Sequence, residues 1–210
     1  MKVELNITKY SPCRIVDFEK FDHLNVSEAI TNIIKLNKKL ANFWEGGAKG
    51  WAPEEVSELL TKSRMDRMVS FSFRLHDAVR DVEQSEEEAH LVSSWVTLGA
   101  LVESSLTLFF TVWRNDYVEN GPRQNIKKGK LIEPPRLSFD QLKSLMLEHD
   151  LIDKRAHKWI SDIQQYRNVI HFFRDKELGS KDTLLKSIKW YLAFLDFIHD
   201  NLPYPDGYSY

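Results

Sequence analysis

Residues 89–113 read AHLVSSWVTLGALVESSLTLFFTVW, and this stretch decides the fold. Its large apolar side chains recur at steps of three and four, the spacing of one helix, and they occupy more than one face of it. They are Leu91, Trp95, Leu98, Leu101, Val102, Leu106, Phe109, Phe110 and Trp113. A helix of this kind packs centrally in a bundle or also contributes to an interface. The sequence therefore predicts a long helix from about Ala89 to Trp113 at the centre of an all-α protein.

Helical spacing continues on both sides of this stretch. Ser27, Pro53 and Ser138 stand where helices are expected to begin, and polar residues with glycine and proline predict a loop between Asp116 and Arg136. The other predicted helices cover Ser27–Trp44, a short segment from Pro53, a segment with the buried stripe Met65, Met68, Ser72, Leu75, Val79 and Val82, and then Phe139–Glu148, Lys154–Phe173 and Lys181–Leu202. Together they predict a helical bundle.

The first residues follow a different pattern. Apolar and polar residues alternate at Val3, Leu5 and Ile7, and a second short apolar pattern runs over residues 15–21. Alternation of this kind is typical of strands, so a short N-terminal β-hairpin is expected. The predicted organisation is an N-terminal extension over residues 1–26 and one helical domain over residues 27–205.

Composition excludes several classes of protein. With 42% apolar residues and 12% aromatic residues in 210, a folded core is expected. The formal charge of -2, from 29 basic and 31 acidic residues, means that any nucleic-acid site must be local. A single cysteine, Cys13, excludes an internal disulfide and fits a reducing cytosol. No unbroken apolar run suggests a signal sequence or a membrane span, so a cytoplasmic protein without membrane contact is expected.

One helix carries polar residues that need a reason. Residues 166–173 read YRNVIHFF, and Arg167 and His171 lie four apart, on one face of a regular helix. Arginine presents a fork of donors suited to phosphate, and histidine exchanges a proton near neutral pH. The pair therefore suits the binding and cleavage of a phosphodiester. The expected buried stripe of this helix is Trp159, Ile163, Tyr166, Ile170 and Phe173, and the expected flank beside Arg167 and His171 is Ile160, Gln164 and Arg174.

These motifs, taken in order, resemble the HEPN superfamily of helical-bundle proteins. The resemblance covers about Val92 to Leu202 and rests on the runs LGALVESSL at 98–106 and LSFDQL at 137–142, and on Arg167, Asn168 and His171. It implies a bundle that forms a homodimer, in which two such motifs meet in one cleft. Many members are metal-independent endoribonucleases of toxin-antitoxin, abortive-infection and other antiviral systems.

The resemblance implies roles for individual residues. His171 would act as general acid or base, Arg167 would stabilise the charged phosphorane, and Asn168 would position the phosphate or the imidazole. Glu103 and Tyr166 would support them. Attack of an RNA 2'-hydroxyl would leave a 2',3'-cyclic phosphate, with no cofactor and no metal. The implied partners are RNA, a second copy of the chain, and an antitoxin or other regulatory protein.

The spacing departs from the usual motif. Three residues separate Arg167 from His171, where the family has four to six, and one residue fewer than four turns the histidine by about 100°. The alternative interpretation is a partly buried ion pair between Arg167 and Glu103, with Asn168 and His171 in helix or dimer contacts. The protein would then be a non-catalytic module that binds RNA, a nucleotide or a protein, or a purely structural dimerisation bundle.

A second, weaker signal is basic charge. Six basic residues outnumber three acidic ones from Arg114 to Arg136, and phosphate contacts need little sequence precision. The candidate RNA-binding residues are Arg123, Lys127, Lys128, Lys130 and, on the motif helix, Arg174. A solvated loop is the alternative. The histidines show no metal-ligand spacing with carboxylates or cysteines, so no metal site is expected, and tryptophans such as Trp51 are expected in the core.

Overall fold

The structure, a computed structural model, describes residues 15–120, 125–127, 129–170 and 177–205. These residues form eight α-helices and one two-stranded antiparallel ribbon, so the all-α prediction is confirmed at that level. The helices are α1 Val26–Trp44, α2 Glu54–Thr61, α3 Met65–Arg74, α4 Glu87–Val112, α5 Arg114–Asn120, α6 Phe139–Glu148, α7 Lys154–Arg167 and α8 Lys181–Asp200, and the strands are β1 Ile126–Lys127 and β2 Lys130–Leu131. Short 3₁₀ turns cover Gly47–Gly50, Leu75–Val79, Pro134–Arg136 and Asn168–Ile170.

Helix α4 lies at the centre, as its apolar pattern predicts. It packs against α2, α3, α6, α7 and α8. Trp95, Leu98, Val102, Leu106 and Phe110 are fully buried along it. Because these side chains point in several directions, the surrounding helices share one hydrophobic core rather than forming two layers.

Helix α4 also has the length and, over part of it, the apolar composition of a membrane span. It is the one helix of the described residues that passes this test, so the expectation that no segment approaches a span did not hold for α4. However, 72% of its apolar window is buried inside the fold. That burial is the arrangement of a core helix.

Helix α1 begins at a different cap from the predicted one. The side-chain oxygen of Asn25 accepts a hydrogen bond from the backbone N–H of Glu28 at 3.0 Å, and the Glu28 carboxylate accepts one from the backbone N–H of Asn25 at 2.8 Å. This is a complete capping box. Ser27 lies inside the first turn, so its assignment as the cap was wrong.

The described part of the N-terminal extension is a series of turns. Every second N–H group from Phe18 to Leu24 bonds to a carbonyl two or three residues back, which excludes the strand predicted over residues 15–21. Phe18 is buried, stacks on Trp190 at 4.5 Å between ring centroids, and meets the edge of Trp159 at 5.3 Å. This part of the extension therefore packs on α7 and α8. The other predicted strand, in residues 1–14, lies outside the described residues.

The predicted loop between Asp116 and Arg136 contains helix α5, the β1–β2 ribbon and a 3₁₀ turn. The buried Tyr117 donates from its hydroxyl to the carbonyl of Ile132 at 2.8 Å, and Arg114 binds both carboxylate oxygens of Glu133 at 2.8 Å. These contacts fold the segment back onto itself. The next helix, α6, begins with the predicted Ser138 cap, which forms a capping box with Gln141.

Not every predicted core residue is buried. Trp51 is 50% exposed, because it follows the Gly47–Gly50 turn and precedes α2 and so lies on no packed helix face. Val79 and Val82, at the end of the predicted stripe after Leu75, are only partly buried. The α-helix ends at Arg74, and the 3₁₀ turn that follows changes the spacing of the stripe.

Mutation can distinguish the observed cap of α1, Asn25, from the predicted one, Ser27. We expect Asn25→Ala to lower the free energy of unfolding by about 1 kcal/mol, because it leaves a helix N–H without its acceptor. In a chain of this size that change lowers Tm by about 2–4 °C. Ser27→Ala is the matched control, and we expect it to change stability by less than about 0.5 kcal/mol. Thermal unfolding followed by circular dichroism measures both, and a larger loss in Ser27→Ala would contradict the capping box.

Candidate functional site

The predicted motif lies where α7 ends. The side chain of Asp153 caps the start of α7 by accepting from the N–H of Ala156 at 2.8 Å. The α-helix ends at Arg167, and Asn168–Ile170 form a 3₁₀ turn, so the prediction of one helix as far as Phe173 was wrong. The expectation that Arg167 and His171 share a face required a regular helix. His171 itself lies outside the described residues, so this structure gives no position for its imidazole.

The change at Asn168 also alters the predicted buried stripe. Trp159 and Ile163 are buried as expected, but Ile170 is 40% exposed, because the 3₁₀ turn no longer advances at 3.6 residues per turn. Ile160 was expected on the flank and is fully buried. The reason is that α7 packs against both α4 and α6, which widens its buried arc. Phe173 lies outside the described residues.

Gly99 on α4 sets the path of the Arg167 side chain. A Cβ atom added at Gly99 would lie 2.8 Å from Cδ and 2.9 Å from Cβ of Arg167, closer than such atoms approach in proteins. The aliphatic part of Arg167 therefore passes directly over this glycine. Any larger residue at this position would move the arginine away from α4.

The guanidinium of Arg167 is held at the other end by an acid. Its Nη1 donates to a carboxylate oxygen of Glu103, which lies four residues after Gly99 and so about one turn along α4. The guanidinium carbon also lies 5.5 Å from the ring centroid of Phe139, at the start of α6, in a cation–π contact. Three helices thus fix the position of this one cation.

The pair is neither fully buried nor free in solvent. The side chains of Arg167 and Glu103 are 30% and 29% exposed. A guanidinium has five N–H donors, and the bond to Glu103 is the one hydrogen bond that the Arg167 side chain makes to another described residue. Its other donors suit an anion with several oxygens, such as a phosphate. The sequence analysis placed Glu103 beside Arg167 both as a supporting residue and as an ion-pair partner, and the structure brings the two together.

Tyr166 is positioned by packing. Its ring lies 4.5 Å from that of Trp95, and both rings press on Gly179, whose carbonyl accepts a hydrogen bond from the Trp95 indole at 2.9 Å. Burial, and then the negative charge of Asp162, raise the pKa of the Tyr166 phenol. The phenol is therefore neutral at physiological pH, which suits a supporting residue and not a base. Gly179 was not predicted as part of this site. The available signal was its position directly before Ser180, the cap of α8.

Asn168 is the C-cap residue of α7, and its backbone N–H bonds to carbonyls of the last turn, including that of Gln164. It is partly exposed and follows Arg167 directly in the chain. The polar pair Arg167 and Asn168 thus lies at the end of α7, where the α-helix gives way to a 3₁₀ turn.

The basic candidates are only partly described. Lys127 and Lys130 are exposed and lie opposite each other in the β1–β2 ribbon. The ribbon is attached to α6, because the side chain of Gln141 donates to that of Asn125 at 2.9 Å. Arg123, Lys128 and Arg174 lie outside the described residues. Lys127 and Lys130 therefore form a small exposed cationic edge next to α6.

A polar contact that was not predicted from the sequence joins α6 and α7. Lys143 donates to the side-chain oxygen of Gln164 at 2.9 Å, and its charge acts on His157. Burial, and then this lysine, lower the pKa of His157, so its imidazole is neutral at pH 7. No group of three or more histidine, cysteine, aspartate and glutamate side chains in the described ranges is arranged to hold a metal ion.

The chain was compared with known protein families, sequences and structures. No protein-family model, curated protein sequence or solved structure matches the chain significantly. The resemblance to the HEPN superfamily stays a prediction from the motifs.

The contact between Gly99 and Arg167 can be tested by the sign of one stability change. Helix propensity alone would make Gly99→Ala stabilising by about 1 kcal/mol. We expect the opposite, a loss of about 1–3 kcal/mol, because the new methyl group overlaps the arginine side chain. Urea unfolding measures the difference. Ser104→Ala, at an exposed position of the same helix, is the control with an expected change below about 0.5 kcal/mol. A stabilised Gly99→Ala would refute the close contact.

Proposed function

We propose that this protein is a metal-independent endoribonuclease of HEPN type, with a role in defence, toxicity or stress response. One observation carries the proposal: Arg167 is fixed by Gly99, Glu103 and Phe139, yet keeps 30% exposure and donors that do not bond to the described residues. A cation held in advance stabilises developing charge without the cost of reorganisation. Its place directly before Asn168 matches the motif that suggested the family.

The proposed reaction is transesterification within RNA. The 2'-oxygen attacks the adjacent phosphorus, the bond from 2'-oxygen to phosphorus forms, and the bond from phosphorus to the 5'-oxygen breaks. His171 removes the proton from the 2'-hydroxyl or gives one to the 5'-oxygen, and in a dimer the two histidines divide these roles. Arg167 stabilises the phosphorane, and Asn168 orients it. The products are a 2',3'-cyclic phosphate and a 5'-hydroxyl.

The proposal includes the assembly and partners that the family resemblance implies. Two copies would bring their motifs into one cleft, and the cationic edge of Lys127 and Lys130, with Arg123, Lys128 and Arg174, would hold the RNA backbone. Such an enzyme in the cytoplasm needs restraint, which an antitoxin or other regulatory protein would supply.

A second function has one observation in its favour. Glu103 already balances the charge of Arg167, and the two side chains are about 70% buried. An arginine engaged in this way also suits a non-catalytic HEPN-like module that binds RNA, a nucleotide or a protein without cleaving it. In that case the ion pair would serve the packing of α7 against α4.

Cleavage of RNA in the presence of EDTA tests the nuclease proposal. We expect the purified protein to cut total RNA or transfer RNA and leave cyclic phosphate ends. Arg167→Ala and His171→Ala should each lower the rate by at least about 100-fold, because they remove charge stabilisation and proton transfer. End mapping and a dimer mass from light scattering complete the measurement.

Control variants show whether a loss of cleavage is specific to Arg167 and His171. Lys158→Ala removes an exposed cation of α7, and His76→Ala removes an exposed histidine, so both should cleave at the wild-type rate. Undiminished cleavage by Arg167→Ala and His171→Ala would reject the proposed site. RNA binding that depends on Arg167, without cleavage by a folded dimer, would instead support the binding module.

A further inference from the structure

A cavity of about 500 Å³ opens between α2, α3 and α4, beside Pro135 and Leu137. This volume is in the range of sites that hold small molecules. Its apolar lining includes Leu60, Met65, Met68, Leu101, Leu108 and Leu137. Apolar walls open to solvent favour a ligand with an apolar body, because the ligand removes them from water.

The rim of the cavity exposes an aromatic ring. Phe71 on α3 is 43% exposed and belongs to the lining, whereas Met68, one turn earlier on the same helix, is buried. A bound apolar group would cover part of this ring. On α3, Met68 is thus the buried part of the lining and Phe71 the exposed part.

The lining has one more cation than its neighbouring acids balance. Glu103 is balanced by Arg167. Arg64 binds both oxygens of Asp66, at 2.8 and 2.7 Å, and Lys62 lies 3.5 Å from Glu58. Arg67 also lines the cavity and forms no ion pair with any residue in the described part of the chain. The hydrogen bond from Arg64 and, as a smaller cause, the charge of Arg67 lower the pKa of Asp66, so the two arginines share this one carboxylate. The surplus charge at this cavity is therefore a single positive one.

We infer that this cavity binds a small monoanionic amphiphile, with its apolar body between α3 and α4 and its carboxylate on Arg67. A polyanion is disfavoured, since one cation is unbalanced and Glu103 lies in the same lining. The inference concerns a different ligand from RNA, and it holds or fails independently of the nuclease proposal.

Isothermal titration with octanoate tests this inference on the full-length protein. Octanoate carries an apolar chain and one carboxylate. We expect it to bind with a stoichiometry of one per chain. Two further probes separate the two parts of the site: 1-octanol keeps the chain without the charge, and butyrate keeps the charge with a short chain. Each should bind at least about tenfold more weakly, a difference of about 1.4 kcal/mol.

Variants place the ligand within the cavity. Arg67→Gln should weaken octanoate binding by at least about tenfold and leave 1-octanol binding unchanged. Its matched control is Arg80→Gln, at an exposed arginine outside the cavity. Ser104→Trp fills the cavity from an exposed position of α4 and should abolish binding, whereas Ser93→Trp, exposed on the same helix outside the lining, should not.

Thermal unfolding is measured first, and only variants that are folded are compared for binding. Loss of octanoate binding in Arg67→Gln and Ser104→Trp, with both controls unchanged, supports the inference. Absence of binding by the wild type, or equal binding by Ser104→Trp, overturns it. Because no RNA is present, neither result depends on whether the protein is a nuclease.

Discussion

The burial of α4 from several sides at once is the constraint on which the rest of the structure depends. Trp95, Leu98, Val102, Leu106 and Phe110 are fully buried, so the neighbouring helices must surround this one. Gly99 and Glu103 interrupt the large apolar side chains of this helix, and both contact Arg167. The central helix thus combines the packing of the bundle with the positioning of one cation.

This arrangement explains how the arginine of the motif at the end of α7 is held in place. Gly99 allows the stem of Arg167 to cross α4, Glu103 holds its guanidinium, and Phe139 lies beneath it. A cation fixed by three neighbours loses little further conformational entropy when it binds an anion. The same contacts suit a structural ion pair, and the two interpretations differ in whether the remaining donors meet a phosphate.

The sequence predicted the features that periodicity controls. Helix α4 begins and ends within two residues of the predicted bounds, and α6 has the predicted Ser138 cap. The pairing of Glu103 with Arg167 was foreseen as well. The cap of α1 was predicted at Ser27, and the spacing from Asn25 to Glu28, which identifies the residue that is used, was missed.

Other features leave no periodic signal. The short helix α5 and the two-residue strands lie in a segment punctuated by glycine and proline, which reads as a loop. The apolar residues after Arg167 continue the helical spacing, although the backbone changes to a 3₁₀ turn at Asn168. The approach of Arg167 to Gly99 joins residues far apart in the chain. This contact depends on the packing of α7 on α4, which the spacing of residues along the chain does not reveal.

The most direct test of this account is a double-mutant cycle on Glu103 and Arg167, with the free energy of unfolding measured for Glu103→Ala, Arg167→Ala and the double variant. A pair that fixes the arginine predicts a coupling energy of about 1 kcal/mol. The exposed pair of Lys158 and Asp162 on α7 provides the reference, with an expected coupling below about 0.5 kcal/mol. Additive losses for Glu103 and Arg167, within about 0.3 kcal/mol, would contradict the claim that α4 holds the motif in place.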